Sequence, residues 1–269
     1  MDVLLVIIAV LVYPGLLTAA GLGAFYGLLV GQGATWPDGA GLRAREGLAA
    51  AGSVAAAGLA LATLPWPWHP AGGTGAWLWA WAGFELAFLL PLLPPLAAGV
   101  PSVVRAAIRE AQLGVLARAA IWAALTPALS AHLDWRLATA PAHLLALVAA
   151  LLAFPAAVGW GPFASEERIT PGGVTAGLAA PMRVLDAWAR DVRSGALLAA
   201  ILVAGLPVRV GPPWLGLIVV AAGVTSAGLL LRRLTGRIPR LTLPAALRLC
   251  ALWALPLAAL ASLALAVIG

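Results

Sequence analysis

Acidic residues set among apolar ones are the first candidates for chemistry in this sequence. Glu85 lies in WAGFELAFLL, well inside a long apolar run. An ionisable side chain within a membrane span is energetically costly, which makes it a functional candidate. Two interpretations remain open for Glu85: a protonatable carboxyl on a proton path, or a neutral, hydrogen-bonded acid that locks two helices together.

A second polar group lies in VVRAAIREAQLGVLARAA, residues 103–120. On a helix, Arg105 and Arg109 would share one face because they are four residues apart. Glu110 is adjacent, and proximity to Arg109 would hold its carboxyl in the charged form. With Arg118, this stretch fits either a partly buried polar strip entering the bilayer or an interfacial collar whose arginines extend to the headgroups.

The third polar group is the connection within residues 160–207. Eight of the 26 charged residues lie between positions 166 and 193. In a chain this apolar, such a concentration marks a place where the protein meets something polar. Asp186 and Arg190 have the spacing of a local salt bridge on a helix.

The adjacent Glu166 and Glu167 also suggest an enzyme. Membrane proteases that cut prenylated tails carry two such glutamates, with an arginine four residues after the second. Here Pro171 occupies that place, and no histidine lies in a later apolar run. We therefore reject the protease interpretation.

Other catalytic and cofactor signatures are absent from the sequence. The lone cysteine, Cys250, excludes an internal disulfide, and the three histidines lack metal-ligand spacing. Phosphate-binding loops, dinucleotide fingerprints and nucleophile elbows do not occur. We predict no metal site, no resident cofactor and no complete catalytic site in this chain.

The composition is that of a protein dissolved in lipid. Hydrophobic residues make up 63% of the 269 residues and charged residues 10%, and the mean hydropathy is +1.01. Soluble domains carry roughly a quarter charged residues. All 16 basic residues are arginines, and they lie in connections between apolar runs or at the ends of those runs. This placement follows membrane topology and excludes nucleic acid as a partner.

The apolar runs predict an all-α, polytopic membrane protein with about eight transmembrane helices, because a span needs about 20 mostly apolar residues. We expect residues 1–269 to form a single transmembrane domain. The predicted spans are roughly 3–30, 47–64, 76–99, 112–130, 141–160, 193–207 (extended by the amphipathic turns before it), 213–231 and 245–268.

Arginine placement predicts the orientation, since short inside connections are enriched in basic residues. With the N-terminus outside, 14 of the 16 arginines fall on inside connections or adjoining helix ends, and only Arg136 and Arg209 fall outside. An even number of spans places the C-terminus outside as well. The sequence therefore predicts a multi-pass protein of the inner (cytoplasmic) membrane.

Several stretches carry a family resemblance. Residues 12–29 read VYPGLLTAAGLGAFYGLL, and residues 103–125 contain Arg109-Glu110-Ala111. Residues 160–207 begin with Pro162-Phe163 and continue through Glu167. Near the end, residues 238–260 read IPRLTLPAALRLCALWALPLAAL.

Together these stretches resemble the membrane protein called subunit 1 of respiratory complex I and its counterparts in formate hydrogenlyase and energy-converting membrane hydrogenases. The family's eight spans with both termini outside also match. This chain departs from the pattern at Ala164, where the family has aspartate, and at Ile169, where a glutamate is expected. The family's basic quinone-site stretch is only faintly echoed by Arg43 and Arg45. The chain is identified as a shortened, divergent member.

The resemblance implies a subunit of an oxidoreductase complex that anchors a cytoplasmic iron–sulfur or hydrogenase-type subunit beside antiporter-like membrane subunits. It also implies coupling of electron transfer to proton or sodium movement, with quinone possible at a subunit interface. In this hypothesis Glu85, Glu110 and Glu167, with Arg109, line a proton path. The candidates for partner docking are Arg43, Arg45, Arg168, Arg183, Arg190, Arg193, Arg232 and Arg233.

Two alternatives of other classes remain. One is a stand-alone transporter of a small molecule or ion, although the sequence lacks the paired repeats common in transporters. The other is a structural membrane protein without an ion path, in which Glu85 serves packing alone.

Overall fold

A computed structural model describes residues 3–31, 36–37, 39–73, 76–130, 135–164, 172–209, 211–235 and 237–268. The described residues form eleven α-helices and no strand. The helices are α1 (Val3–Leu11), α2 (Leu16–Val30), α3 (Arg45–Ala62), α4 (Trp77–Leu89), α5 (Leu93–Ala97), α6 (Pro101–Ser130), α7 (Ala140–Ala157), α8 (Ala180–Gly205), α9 (Pro213–Thr235), α10 (Leu243–Leu249) and α11 (Leu255–Ile268).

Six helical stretches in the described part of the chain are long and apolar enough to cross a membrane. They are Val3–Val30, Trp77–Ala97, Pro101–Ser130, Ala140–Ala157, Pro213–Leu234 and Leu243–Ile268. The all-helical membrane fold class is therefore confirmed. The other two predicted spans are also helical, as α3 and α8, but they fall outside the six, so the count of eight stays a prediction.

Prolines and glycines interrupt several of these stretches. The predicted first span is divided between α1 and α2 at residues 12–15, where any side chain at Gly15 would collide with the carbonyl of Val10. Three prolines lie within residues 91–95, and α4 ends at Leu89 before a 3₁₀ turn, Leu90–Leu92, because proline cannot continue the hydrogen-bond ladder of a helix. A π-helical turn, Cys250–Ala254, joins α10 to α11 just before Pro256.

Helix α6 begins earlier than predicted. The span was expected at residues 112–130, but the helix starts at Pro101 and includes the polar stretch with Arg105, Arg109 and Glu110. The charged residues made this segment look like a connection. Its helical apolar face, with Val103, Ala106 and Ala107 buried, continues the helix instead.

Helix α8 forms the centre of the bundle. Every residue from Asp191 to Gly205 is buried, on all faces of the helix. A helix buried all round must be surrounded by protein, and α8 contacts α2, α3, α4, α6, α7 and α9. Arg190, Asp191 and Arg193 make α8 too polar to count among the six lipid-compatible stretches. Because α8 is surrounded by other helices, it does not need a lipid-compatible surface.

Glycines permit the closest crossing, between α2 and α8. A Cβ at Gly23 would lie 2.5 Å from Val192 Cα, and one at Gly195 would lie 2.5 Å from the Leu22 carbonyl oxygen. The two backbones therefore touch, and the order of these contacts makes the helices antiparallel. The crossing fixes α2 against the central helix.

Contacts between connections divide the bundle into two ends that agree with the arginine pattern. At one end, Gly31 lies against Arg232 and Gly41 lies against Leu185. At the other end, the guanidinium of Arg209 donates hydrogen bonds to the carbonyls of Pro65 and Gly73. The first end collects connections predicted to face inside, and the second collects connections predicted to face outside.

The glycine crossing gives a stability prediction. Gly23→Ala and Gly195→Ala should each destabilise the bundle by roughly 1–3 kcal/mol, because a methyl group would overlap backbone that cannot move aside. Thermal unfolding of the purified protein in detergent measures the effect. Gly21→Ala is the matched control, since a Cβ there meets nothing within 4 Å. Equal unfolding midpoints for all three variants would contradict the close crossing.

The two-ended arrangement gives a topology prediction. In a Cys250→Ala background, single cysteines replace Leu42, Leu234 or Leu137, which are 43%, 41% and 94% exposed, so that every arginine is kept. An impermeant thiol reagent applied to intact cells should label only the Leu137→Cys variant. Permeabilisation should expose the other two. Labelling of Leu42→Cys and Leu234→Cys from opposite sides would refute the arrangement.

Candidate functional site

A bidentate ion pair between Glu85 and Arg118 joins α4 to α6. Arg118 Nε donates to Glu85 Oε1 at 3.0 Å, and one terminal nitrogen donates to Glu85 Oε2 at 2.9 Å. The other terminal nitrogen donates to the Ala157 carbonyl of α7 at 3.4 Å. The side chain of Arg118 is 3% exposed and that of Glu85 is 16% exposed. Parallel hydrogen bonds of this type are the strongest that a carboxylate makes with arginine.

A second buried guanidinium, Arg193 of α8, lies beside this pair. It donates to Ser53 Oγ of α3 at 2.9 Å, and Ser53 in turn donates to the Ala50 carbonyl. The ring of Phe88 separates the two cations: its centroid is 4.8 Å from the Arg118 guanidinium carbon and 5.7 Å from that of Arg193. Within the described residues, Arg193 has no carboxylate within ion-pair distance.

These side chains form one layer near the middle of the bundle. Along their helix axes, Glu85 lies about 12 Å from Trp77, Arg118 about 18 Å from Ser130, and Arg193 about 18 Å from Gly205. Ser53 lies at a similar depth, about 14 Å from the end of α3. We name Ser53, Glu85, Phe88, Arg118 and Arg193 the mid-bundle layer. It contains two cations and one anion.

A polar cavity of about 80 Å³ lies at the end predicted to face inside. Arg109, Glu110, Arg190 and Thr175 line it, together with backbone of residues 172–173. Glu110 is half-buried and makes no ion pair or hydrogen bond with any described residue. Its carboxylate is therefore available to water or to a partner.

Arg109 fastens two connections at this cavity. Its terminal nitrogen donates to the carbonyl of Leu241 at 2.8 Å and to that of Ala164 at 3.4 Å. These contacts were not predicted: the sequence suggested that Arg109 holds Glu110 charged. The structure places Arg109 against backbone carbonyls, which gives it a positioning role beside the cavity.

The core of the opposite half is mostly apolar, although Thr139 and His143 are buried at the start of α7, near the end predicted to face outside. Between the mid-bundle layer and the ends predicted to face outside, the described core is filled by fully buried side chains. They include Leu61, Phe84, Ile121, Leu125, Leu197, Leu198 and Ile201. Charged side chains thus extend from the mid-bundle layer toward one end of the bundle, whereas apolar side chains separate the layer from His143 near the other end.

The docking candidates occupy different surroundings. Arg43, Arg45, Arg183, Arg232 and Arg233 are exposed, as docking requires, and Arg190 is half-buried at the cavity. The predicted Asp186–Arg190 salt bridge is present at 3.3 Å. Glu167 and Arg168 lie outside the described residues.

Arg193 is the exception among those candidates. It is 3% exposed and lies inside the bundle. A buried guanidinium cannot meet a docking partner at the surface, so the docking assignment of Arg193 is corrected to membership of the mid-bundle layer.

Sequence reasoning missed three features of the site: the pairing of Arg118 with Glu85, the burial of Arg193, and the burial of Asp191. One signal was available for the first. An acid within a span needs a partner, and Arg118 was the arginine lying deepest within a neighbouring predicted span. For Arg193 and Asp191, the amphipathic charges around them suggested a solvent-facing segment.

Neither models of known protein families nor curated proteins match this sequence. The resemblance to the complex I and hydrogenase membrane-anchor family therefore stays a prediction. Among the described residues, no cluster of three or more His, Cys, Asp or Glu side chains is placed to hold a metal ion.

The ion pair gives a test by double substitution. Arg118→Met should destabilise the protein by about 3–5 kcal/mol, because it leaves the Glu85 carboxylate buried without a counter-ion. Adding Glu85→Gln should restore most of that loss. Thermal unfolding in detergent measures both effects. Asp186→Asn, which breaks the more exposed pair with Arg190, is the control and should change stability by under about 1 kcal/mol. Strictly additive losses in the double variant would argue against a coupled pair.

Proposed function

We propose that this chain is an integral membrane subunit of a complex I-like or membrane-hydrogenase-like assembly, which anchors a soluble redox subunit and contributes to proton or sodium movement. The observation that carries the proposal is the mid-bundle layer, in which Glu85 is held by Arg118 near the middle of a bundle of membrane-compatible helices. Ionisable groups at that depth are retained where charge moves or is sensed.

The position of the cavity supports a path from the inside. Glu110 and Arg190 lie at the cavity, Arg193 lies one turn further along α8, and Arg118 lies two turns beyond Glu110 on α6. Charged side chains therefore occur at successive depths from the inside end to Glu85. With such a series, a proton that binds at the cavity would change the electrostatic potential at the mid-bundle layer.

The two buried guanidinium groups make the environment of Glu85 sensitive to a change of charge at the cavity end. Arg118 binds both carboxylate oxygens of Glu85, and the Arg193 guanidinium lies near the same Phe88 ring, so the layer holds two cations and one acid. A shift in the charge at the cavity end would alter this balance, because interactions inside a low-dielectric bundle are only weakly screened. The layer thus offers a physical link between a redox partner and ion movement.

The exposed arginines support docking at the same end of the bundle. Arg43 and Arg45 precede and begin α3, Arg183 lies at the start of α8, and Arg232 and Arg233 lie at the end of α9. A positive surface there would attract an acidic face of a soluble partner and orient its approach. Quinone, if it takes part, would bind between this surface and that partner.

The apolar outer half favours this proposal over a stand-alone transporter. Buried alanine, leucine and isoleucine side chains occupy most of the described core between the mid-bundle layer and the outer end, with Thr139 and His143 buried close to that end. A solute would have no polar route through that half in this conformation. A coupling subunit needs no such route through its own core.

Purification of the tagged protein from its native membrane tests the assembly. We expect it to be recovered with a subunit that shows iron–sulfur absorption and oxidises NADH, formate or hydrogen. Recovery of the chain alone in gentle detergent, with all redox activity left behind, would count against the proposal.

A matched pair of substitutions tests the coupling. In the recovered assembly reconstituted in vesicles, Glu85→Gln should slow proton-coupled turnover by about tenfold, which corresponds to about 1.4 kcal/mol in the barrier. Glu46→Gln replaces a glutamate at the start of α3, outside the mid-bundle layer, and should leave coupling unchanged. Equal ratios of ions moved to electrons transferred in both variants would remove Glu85 from the path.

A further inference from the structure

Asp191 of α8 is a buried acid that the proposed path does not yet use. It is 7% exposed, and it makes no hydrogen bond and no ion pair with any described residue. One terminal nitrogen of each neighbouring arginine is engaged elsewhere, that of Arg190 with Asp186 at 3.3 Å and that of Arg193 with Ser53 at 2.9 Å, whereas the Nε atom of each has no hydrogen-bond partner among the described residues. An ionised carboxylate without a partner is costly to bury, whereas a protonated one is tolerated.

Tyr26 of α2 is buried beside this acid. The tyrosine is 1% exposed, its ring packs edge-on against Phe154, and its hydroxyl has no hydrogen-bond partner among the described residues. Buried hydroxyl groups rarely lack a partner, so each such group needs an explanation. Asp191 is the acidic group that acts electrostatically on Tyr26.

The glycine crossing brings the two side chains to the same place. Gly23 touches Val192, the residue after Asp191, and the two helices are antiparallel. Tyr26 lies about one turn beyond Gly23, toward the inside end, which is also the side on which Asp191 precedes Val192. The unpartnered Tyr26 hydroxyl on α2 and the Asp191 carboxyl on α8 therefore lie within about one helical turn of the same contact.

We propose that Asp191 is a proton-holding site and that the Tyr26 hydroxyl is its hydrogen-bonding partner. In the resting state the carboxyl carries the proton. When the proton leaves to water, a small rotation lets Tyr26 donate to the carboxylate and stabilise the charge. No other bond changes, and the same proton returns by the reverse step.

The charged surroundings tune this site. Arg190 and Arg193 flank Asp191 on its own helix and favour its ionised form. Glu110 of α6 and Asp186 act on both arginines and weaken that influence, and Arg118 acts on Arg193. Burial and the absence of a direct partner in the described chain oppose ionisation. Asp191 thus lies between Arg190 at the cavity and Arg193 in the mid-bundle layer, in position to hold a proton between them.

Whether the Asp191 carboxyl holds a proton can be measured without any partner subunit. Only the role of that proton in ion movement rests on the proposed function. Titration of the isolated full-length chain in lipid nanodiscs tests it. Aspartate labelled with ¹³C at the carboxyl gives five signals, from Asp2, Asp38, Asp134, Asp186 and Asp191. Loss of one signal in Asp191→Glu, or in Asp191→Asn if that variant folds better, assigns Asp191.

We expect the Asp191 signal to titrate at higher pH than the other four. Tyr26→Phe should shift its midpoint further upward, by roughly one pH unit, because the ionised form loses its donor. Tyr13→Phe is the matched control: the chain has two tyrosines, and the Tyr13 hydroxyl donates to the Pro67 carbonyl instead. That variant should leave the midpoint where it is.

Two results would overturn the proposal. Titration of Asp191 together with the other aspartates would show that it does not hold a proton inside the bundle. An unchanged midpoint in Tyr26→Phe would remove the tyrosine as its partner. Neither result would bear on whether the chain binds a redox subunit, which the purification from native membranes decides separately.

Discussion

Charge on α8 dictates how the rest of the bundle is arranged. A helix that carries Asp191 and Arg193 among apolar residues cannot face lipid, because the hydrocarbon offers no counter-charge and no hydrogen bonds. It is stable at the centre, where Ser53 of α3 and Phe88 of α4 contact Arg193. The more apolar helices then form the outer wall, with one apolar face toward lipid and the other toward α8. Gly23 and Gly195 allow the backbone of α2 in this outer wall to approach the backbone of α8 closely.

The same constraint explains why the polar groups are unevenly distributed. Buried charges are tolerated where they pair with each other or reach water, and here they extend from the mid-bundle layer to the inner cavity. The remaining half is packed mainly with alanine, leucine and isoleucine, and its buried polar side chains, Thr139 and His143, lie near its end at the start of α7. Each polar group on one side therefore needs a structural or chemical reason. Arg118 and Glu85 satisfy each other, while Glu110 and Asp191 make no such pair with a described residue.

The helices could be predicted from the sequence, but the contacts between charged side chains on different helices could not. Each long apolar run became a helix because composition alone decides this in lipid, and the break after Leu89 followed from proline chemistry. The early start of α6 was missed because Arg109 and Glu110 resembled a connection. The Arg118–Glu85 pair joins residues 33 positions apart, and no periodic pattern encodes which charges meet across a bundle. The burial of Arg193 likewise depends on α8 becoming the central helix.

The mostly apolar outer half has a consequence for the assembly proposed above. A membrane protein with charged groups throughout its core would conduct ions if it were inserted before its neighbours, and it would dissipate the electrochemical gradient across the membrane. Here the leucine-rich and alanine-rich half around Leu197 and Ile201 insulates the polar half. Under the proposed function, the chain could therefore be inserted before its partners without discharging the membrane that holds it.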